Sequence, residues 1–329
     1  MKIVITGGCG FIGLNLARNL LQRDSLPGPD GTLREIDKIT LFDAFVPDHA
    51  PEGLDDRVEI VQGDISDKAT VGALIDRDDI SVFHLASIVS AGGEKDFDSA
   101  MQVNLQGGNN ILESCRARTG TPRVVFASSF AVFGGDTMPD EVSDTTKITP
   151  ETTYGMTKAI GELMINDYSR KGFLDGRSAR LPTIIIRPGK PNAAASSYAS
   201  GLFREPLSGN ECKLPVTLDT QMPLLGYQNC IAGIIALHNL NADQLGTDRA
   251  VCLPARTYTP STMIEALERV AAENKIELGP VTFAPDPAIQ KIVSSWPQRM
   301  NAERAIKLGL PEDQNLDQVI QDFVDHFVD

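Results

Sequence analysis

Little in this chain can staple a fold or hold a metal. Its 329 residues include five cysteines, Cys9, Cys115, Cys212, Cys230 and Cys252, scattered and without a C-x-x-C pair. An odd, unspaced set argues against a disulfide framework and against a zinc site, so the expectation is reduced thiols in the cytoplasm. The four histidines, His49, His84, His238 and His326, show no ligand spacing either, and no metal is expected. No apolar run reaches the roughly 18 residues that a membrane-spanning helix needs, and the glycines from Gly7 to Gly13 would interrupt the apolar stretch of a signal peptide. Positive charge is short as well: 30 Lys and Arg stand against 44 Asp and Glu, for a formal net charge of −14. Such a balance disfavours non-specific attraction to nucleic acid or to an anionic membrane, so neither is an expected partner. An anionic substrate would have to be met by local basic residues.

What is present begins at once. Ile3-Val4-Ile5 is a β-branched run with nothing polar inside it, as in a parallel strand buried on both faces. Thr6-Gly-Gly-Cys-Gly-Phe-Ile-Gly13 then turns the chain into a helix expected from about Phe11 to Leu21. Gly7 permits a tight turn, Gly10 lets backbone approach a pyrophosphate, and Gly13 lets the helix pack closely on its strand. The N–H groups at Phe11, Ile12 and Gly13 and the positive end of the helix would hold phosphates. A glycine triplet alone is weak evidence; after a strand and at the opening of a helix it is the context that dinucleotide binding requires.

Lys38 to Phe42 is read as the second strand, ending in Asp43, after a turn-rich insertion from Asp24 to Asp37. An acid there can accept both hydroxyls of an adenosine ribose and would repel a 2′-phosphate, so NAD is expected over NADP. Val58–Gln62, Ser81–Ala86 and Arg123–Ser129 are the next strands, and Thr183–Arg187 is expected as the sixth. Between them come a short helix at 69–76, with Asp64 or Ser66 as its N-cap, and a long one at 99–118. Asp64 and Ile65 stand where an adenine would be met. Leu85 and Ala86 close the strand from Ser81, and Ser87 and Val89 follow at its carboxyl end, where ligands of open α/β sheets collect. His84 reads as a core histidine rather than a catalyst. Gly107-Gly108 inside a helix implies close packing or cofactor approach, since each costs about 1 kcal/mol against Ala. The alternation of strands and helices predicts an α/β, doubly wound parallel sheet of Rossmann type with a smaller α/β substrate-binding lobe. The expected division is 1–187, with 224–241 returning to it, as the nucleotide domain, and 188–223 with 242–329 as the lobe. Helices are expected there at 261–273, capped by Ser261, at 301–308, capped by Asn301, and at 316–327.

Tyr154-Gly-Met-Thr-Lys158 opens a further helix and puts phenol and ammonium on one face. A neighbouring cation favours phenolate, so Lys158 is expected to lower the Tyr154 pKa toward a general base. Y-x-x-x-K is a frequent accident by itself. Following Ser129 by 25 residues, downstream of a nucleotide fold, it is not.

Taken in order, Thr6–Gly13, Asp43, Gly63-Asp64-Ile65, His84–Ala86, Asn104, Ala127–Ser129, Tyr154, Lys158 and Arg187-Pro188 resemble an extended short-chain dehydrogenase/reductase of the NAD-dependent epimerase/dehydratase family, closely over residues 1–240. The resemblance implies Tyr154 as acid/base, Lys158 as its partner and a holder of the nicotinamide ribose, and Ser129 as the group polarising the substrate oxygen. It also implies Asn104, Ala127, Pro188 and Lys190 at the cofactor, and a homodimer. The segment from Arg187 to Asn210 is similar to the D-erythronate dehydrogenase subgroup, which oxidises a four-carbon sugar acid at C2 with NAD. The implied substrate is a small hydroxylated carboxylate, held by Ser87, Val89, Ser129, Phe130, Tyr154, Asn192, Ser197 and Arg204. A sugar-nucleotide epimerase or dehydratase using the same triad is the alternative, although Phe130 and Phe133 depart from the family's usual small residue and Tyr. A non-catalytic nucleotide sensor is the remote one.

Overall fold

Lys2–Thr6 (β1), the buried run that opens the chain, is an interior strand of a seven-stranded sheet in the computed structural model, which describes residues 1–190 and 194–328. The other strands are Lys38–Asp43 (β2), Val58–Gln62 (β3), Ile80–His84 (β4), Arg123–Ser129 (β5), Asp175–Leu181 (β6) and Ala250–Cys252 (β7). Their spatial order is β7-β6-β5-β4-β1-β2-β3, with β1 parallel to β2 and β4, β2 to β3, and β4 to β5. Ile3, Val4 and Ile5 are each fully buried, as a strand covered on both faces demands. Because the chain winds outward from β1 through β3 and then restarts on the other side at β4, the carboxyl ends of β1 and β4 form the point where ligands of such sheets bind. The helices that matter are Phe11–Leu21 (α1), Lys68–Leu74 (α2), Gly107–Arg116 (α3), Thr153–Arg170 (α4) and Tyr227–Asn239 (α5).

Two compact units emerge: Met1–Val132 with Thr152–Arg180 and Ile231–Val251, and Phe133–Glu151 with Leu181–Cys230 and Cys252–Asp329. The first contains the sheet. The second has its own apolar core, built from Ile185, Phe203, Leu224, Leu267, Ile320 and Phe323 among others, and a three-stranded sheet of Thr183–Ile185, Met222–Gly226 and Arg256–Tyr258. No helix among the described residues is long and apolar enough to cross a membrane.

The structure corrects several expectations. The sixth strand of the large sheet is Asp175–Leu181, not Thr183–Arg187, whose first three residues belong to the second unit's sheet. Asp175, Arg177 and Arg180 disguised it, and all three are buried because they are paired: Asp175 meets Arg123 at 2.9 Å and Arg249 at 2.9 Å, and Arg180 meets Glu162 at 2.8 Å. Arg177 donates to the carbonyls of Leu237, His238 and Leu240, and Arg123 to that of His238, so the two guanidiniums cap the negative end of α5. The long helix is interrupted by a π-helical turn, Met101–Gln106, before α3. The N-cap of α2 is Asp67 rather than Asp64 or Ser66, and Thr259 rather than Ser261 caps the helix Pro260–Asn274. The helix expected from Asn301 is shorter, Glu303–Lys307. The insertion holds a hairpin, Ser25–Pro27 against Leu33–Glu35.

Candidate active site

The glycine loop is shaped by what a Cβ would strike. Gly7 has φ +67°, and a Cβ on it would fall 2.9 Å from the Ala86 nitrogen; one on Gly13 would fall 2.4 Å from the Gly7 carbonyl. At Gly10, the N-cap of α1, a Cβ would meet only that carbonyl, at 3.2 Å, so this stretch of backbone faces open space at the helix amino end. Phe11, Ile12 and Gly13 form the first turn. The loop is tied to its neighbours: Leu85 N–H donates to the Thr6 carbonyl at 3.1 Å and Ala86 N–H to Thr6 Oγ1 at 3.2 Å. Thr6 Oγ1 also lies 2.7 Å from His84 Nδ1. His84 is buried and its pKa is driven down to about 3 by burial and by Lys158, which suits the core role expected of it.

Asp43 ends β2 at the rim of this loop. Its carboxylate accepts from the Cys9 N–H at 3.1 Å and the Phe45 N–H at 3.2 Å. Two backbone donors orient the group while leaving lone pairs for ribose hydroxyls. Asp64 Oδ1 accepts from Ser66 N–H at 2.8 Å and shapes its own turn.

Tyr154 and Lys158, the expected acid–base pair, stand on α4, capped by Thr152, whose hydroxyl accepts from Gly155 N–H at 3.0 Å. Gly161 lets this helix press on β5: a Cβ there would lie 2.6 Å from the Phe126 ring. The Ser129 hydroxyl lies near enough to the Tyr154 phenol to favour its charged form, and Ser129 Oγ accepts from Ala131 N–H at 3.1 Å. Lys158 Nζ lies 5.4 Å from the Tyr154 ring centroid and 4.8 Å from that of Phe126. The electrostatics differ from the expectation. Burial raises the Tyr154 pKa, with the Ser129 hydroxyl pulling the other way, and no lowering by Lys158 is found. Lys158 itself is pushed down to about 7 by burial, against the opposing pull of Glu162. In the protein alone, desolvation outweighs the mutual field of phenol and ammonium.

Other predicted residues have different partners. Asn104, in the π-helical turn, accepts from Ile88 N–H at 2.7 Å and donates to the Ile88 carbonyl at 3.0 Å and to Thr157 Oγ1 at 3.2 Å. Its amide thus binds the loop after β4 to α4. Ile65 is 5 % exposed and packs against α3, where a Cβ on Gly107 would lie 2.6 Å from it; close packing explains that glycine, and the apolar face meant for adenine is turned inward. Ser87 Oγ lies 3.3 Å from the Ile88 carbonyl, Val89 is exposed, and Ala127 and Phe130 are buried. In the second unit, Pro188 and Lys190 follow Arg187, Ser197 opens the helix Ser197–Leu207, and Asn192 lies outside the described residues. Arg204, expected to bind a substrate carboxylate, is buried with its fork on Glu205, at 2.9 and 2.6 Å, and another nitrogen 2.9 Å from the Arg187 carbonyl. Sequence reasoning missed the bonds that hold the site: Thr6 to Ala86, Cys9 to Asp43, and the buried Glu162. Of these only Glu162, one turn beyond Lys158, left a signal in the sequence.

A glycine-cradled helix end, a strand-end acid and a Ser–Tyr–Lys cluster on one sheet define a dinucleotide-binding α/β protein of Rossmann type equipped for proton transfer to and from an oxygen. The model of the NAD dependent epimerase/dehydratase family matches residues 3–248, and the chain belongs to that family. Its cofactor is NAD, and the open backbone at Gly10 with the oriented Asp43 fits the pyrophosphate and ribose of that molecule. The chain is 48 % identical to a D-erythronate dehydrogenase of Cupriavidus necator over 326 residues, covering 99 % of this chain and 98 % of that one. It is 40 % identical to a D-erythronate dehydrogenase of Haemophilus influenzae, covering 99 % of each. Among solved structures, a nucleoside-diphosphate-sugar epimerase from Agrobacterium tumefaciens superposes with a TM-score of 0.91 at 36 % identity, covering 99 % of this chain and 94 % of that one.

Proposed function

We propose that this protein is an NAD-dependent dehydrogenase that oxidises the C2 hydroxyl of a short sugar acid, D-erythronate, to the 2-oxo acid. The observation that carries the reading is the Ser129 hydroxyl beside the Tyr154 phenol, one helical turn from buried Lys158, in a chain nearly half identical to a D-erythronate dehydrogenase over its whole length. The Tyr154 oxygen, as phenolate, takes the proton of the substrate hydroxyl. Ser129 donates a hydrogen bond to the oxygen as charge develops on it, a contribution strongest where water is excluded. Lys158, protonated, stabilises the phenolate and binds the nicotinamide ribose. The glycine loop holds the pyrophosphate on α1, and Asp43 holds the adenosine ribose. NAD supplies the acceptor for the hydride leaving C2. The enzyme works as a cytoplasmic homodimer with reduced cysteines.

The test is spectroscopic: D-erythronate with NAD should yield NADH stoichiometrically. Tyr154→Phe should lose about 10²–10⁴ in kcat while still binding NAD. Silence with D-erythronate and every other short sugar acid would remove the substrate assignment. The likeness to the Agrobacterium epimerase favours a second reading, sugar-nucleotide epimerisation with the same triad. That activity would interconvert UDP- or dTDP-sugars with no net reduction of added NAD.

A further inference from the structure

The mechanism leaves one buried ionic group unused. Glu162 is 2 % exposed, on the face of α4 that carries Lys158 four residues earlier, a spacing that brings two helical side chains together. Its carboxylate is fully engaged: Oε1 accepts from Ser128 Oγ at 2.5 Å and from Arg180 Nε at 2.9 Å, and Oε2 from Arg180 Nη2 at 2.8 Å. Ser128 directly precedes Ser129 on β5, and Arg180 lies on β6. A bidentate pair in the interior is expensive, because both ions lose their hydration, and an apolar pair of the same size would often be as stable. Stability therefore does not account for it. Its neighbour does: Lys158 is 3 % exposed, with its ammonium over the Phe126 and Tyr154 rings.

We propose that Glu162 is a positioning residue of this site, the anchored anion one turn along the helix whose field helps keep Lys158 charged beside Tyr154, with Arg180 and Ser128 fixing the carboxylate in place. The inference rests on the role given to Lys158 above, not on the identity of the substrate. The ionisable groups around the pair are few. On α4 they are Tyr154, Lys158 and Glu162; β4 brings His84, which is driven neutral by burial and by Lys158, and β6 brings Arg180. Near the exposed start of α4, Glu94 accepts from Thr153 N–H at 2.8 Å. Among the described residues, Glu162 is the anion whose field at Lys158 opposes burial. A carboxylate held by a guanidinium and a hydroxyl cannot swing away, so its field on Lys158 stays fixed through a turnover that changes the charge beside it.

The test reads Lys158 directly, by titrating lysines labelled with ¹³C at Cε in the NAD-free protein, in wild type, Glu162→Gln and Glu162→Asp. Glu162→Gln should move the Lys158 midpoint acidward by about one pH unit, a tenfold loss of proton affinity. From a midpoint of about 7, the protonated fraction at pH 7 then falls roughly fivefold. Glu162→Asp, which keeps the charge, should move it less than half as far, and the alkaline limb of kcat/KM should follow the same order. If removal of the carboxylate alone prevents folding by stranding Arg180, the double variant Glu162→Gln/Arg180→Gln leaves no unpaired ion, and its Lys158 midpoint should still move acidward. An unmoved midpoint in whichever of these variants folds, even with lower stability, would overturn the proposal and leave Glu162 a structural clamp. Absence of activity on sugar acids would leave the titration, and so the inference, intact.

Discussion

Gly161→Ala is a small change placed where the active helix touches the sheet. A Cβ there would fall 2.6 Å from two carbons of the Phe126 ring, whereas carbon atoms rest about 3.5–4.0 Å apart. About 1 Å of displacement is therefore needed, either of α4 outward or of the ring. Ser129, three residues beyond Phe126 on β5, and Tyr154 and Lys158 on α4 are the groups whose spacing would absorb it. Misplacement by about 1 Å costs on the order of 10²-fold in rate, about 2.7 kcal/mol in the barrier. Stability should change far less, because overpacking costs about 1–3 kcal/mol and the alanine recovers about 1 kcal/mol of helix propensity. The assay is kcat at saturating NAD and substrate beside a thermal melt, with Gly72→Ala on α2 as control. A Cβ on Gly72 has nothing within 4 Å, so that variant should keep full activity and gain up to about 1 kcal/mol. Phe126→Leu, which removes the obstructing ring edge, should restore part of the lost rate. Gly161→Ala with kcat within about twofold of wild type would refute the claim that this contact sets the register of the site, since a 1 Å shift predicts far more.

Asp43→Asn should weaken NAD binding by roughly tenfold or more, the worth of hydrogen bonds to a charged acceptor, and narrow the preference over NADP; an unchanged NAD/NADP ratio of kcat/KM would contradict its assignment. Asp175→Asn strands Arg123, Arg177 and Arg249, and should cost about 3–5 kcal/mol in urea unfolding. Burial raises the Asp175 pKa, but Arg177 and Arg123 pull harder and leave it below the usual carboxylate value. Its contribution is therefore present above the unfolded pKa near 3.9 and lost as pH falls through the folded one; a wild-type acid-unfolding profile in Asp175→Asn would refute this. Lys158 shows the opposite sign: with a folded pKa of about 7 against an ordinary 10.5, the unfolded chain binds more protons between those values, so this group's share of stability rises with pH there. NAD-free Lys158→Met should accordingly be more stable than wild type at pH 7, with an advantage that shrinks toward pH 10 in parallel denaturant titrations.

Much of the nucleotide unit was legible because its strands are simple. Val58–Gln62 and Arg123–Ser129 fall where periodicity put them, and Lys2–Thr6 extends Ile3–Ile5 by one residue at each end. Apolar, β-branched runs between turn residues leave little choice. The sixth strand failed on the same rule, since a hydrophobicity count cannot know that Asp175, Arg177 and Arg180 find partners from segments far away in the chain. Arg204 failed similarly: a cation is assigned to a ligand by its charge, whereas its neighbour Glu205 decides where it points. Ser129, Tyr154 and Lys158 could be recognised from order and spacing, but not the sign of their electrostatics, which depends on how completely water is excluded from the pair.

The nucleotide unit is drawn from three separated stretches, the last being Ile231–Val251. A ribosome delivering this chain releases the arginines of β5 and β6 well before the carbonyls at 237, 238 and 240 that receive them. Until that stretch arrives, two cations destined for the interior have only Asp175 and, for Arg123, the Pro27 carbonyl for company. The cofactor fold thus cannot mature in the order in which it is written, and every residue of the intervening excursion must be made before its first strands are finally secured.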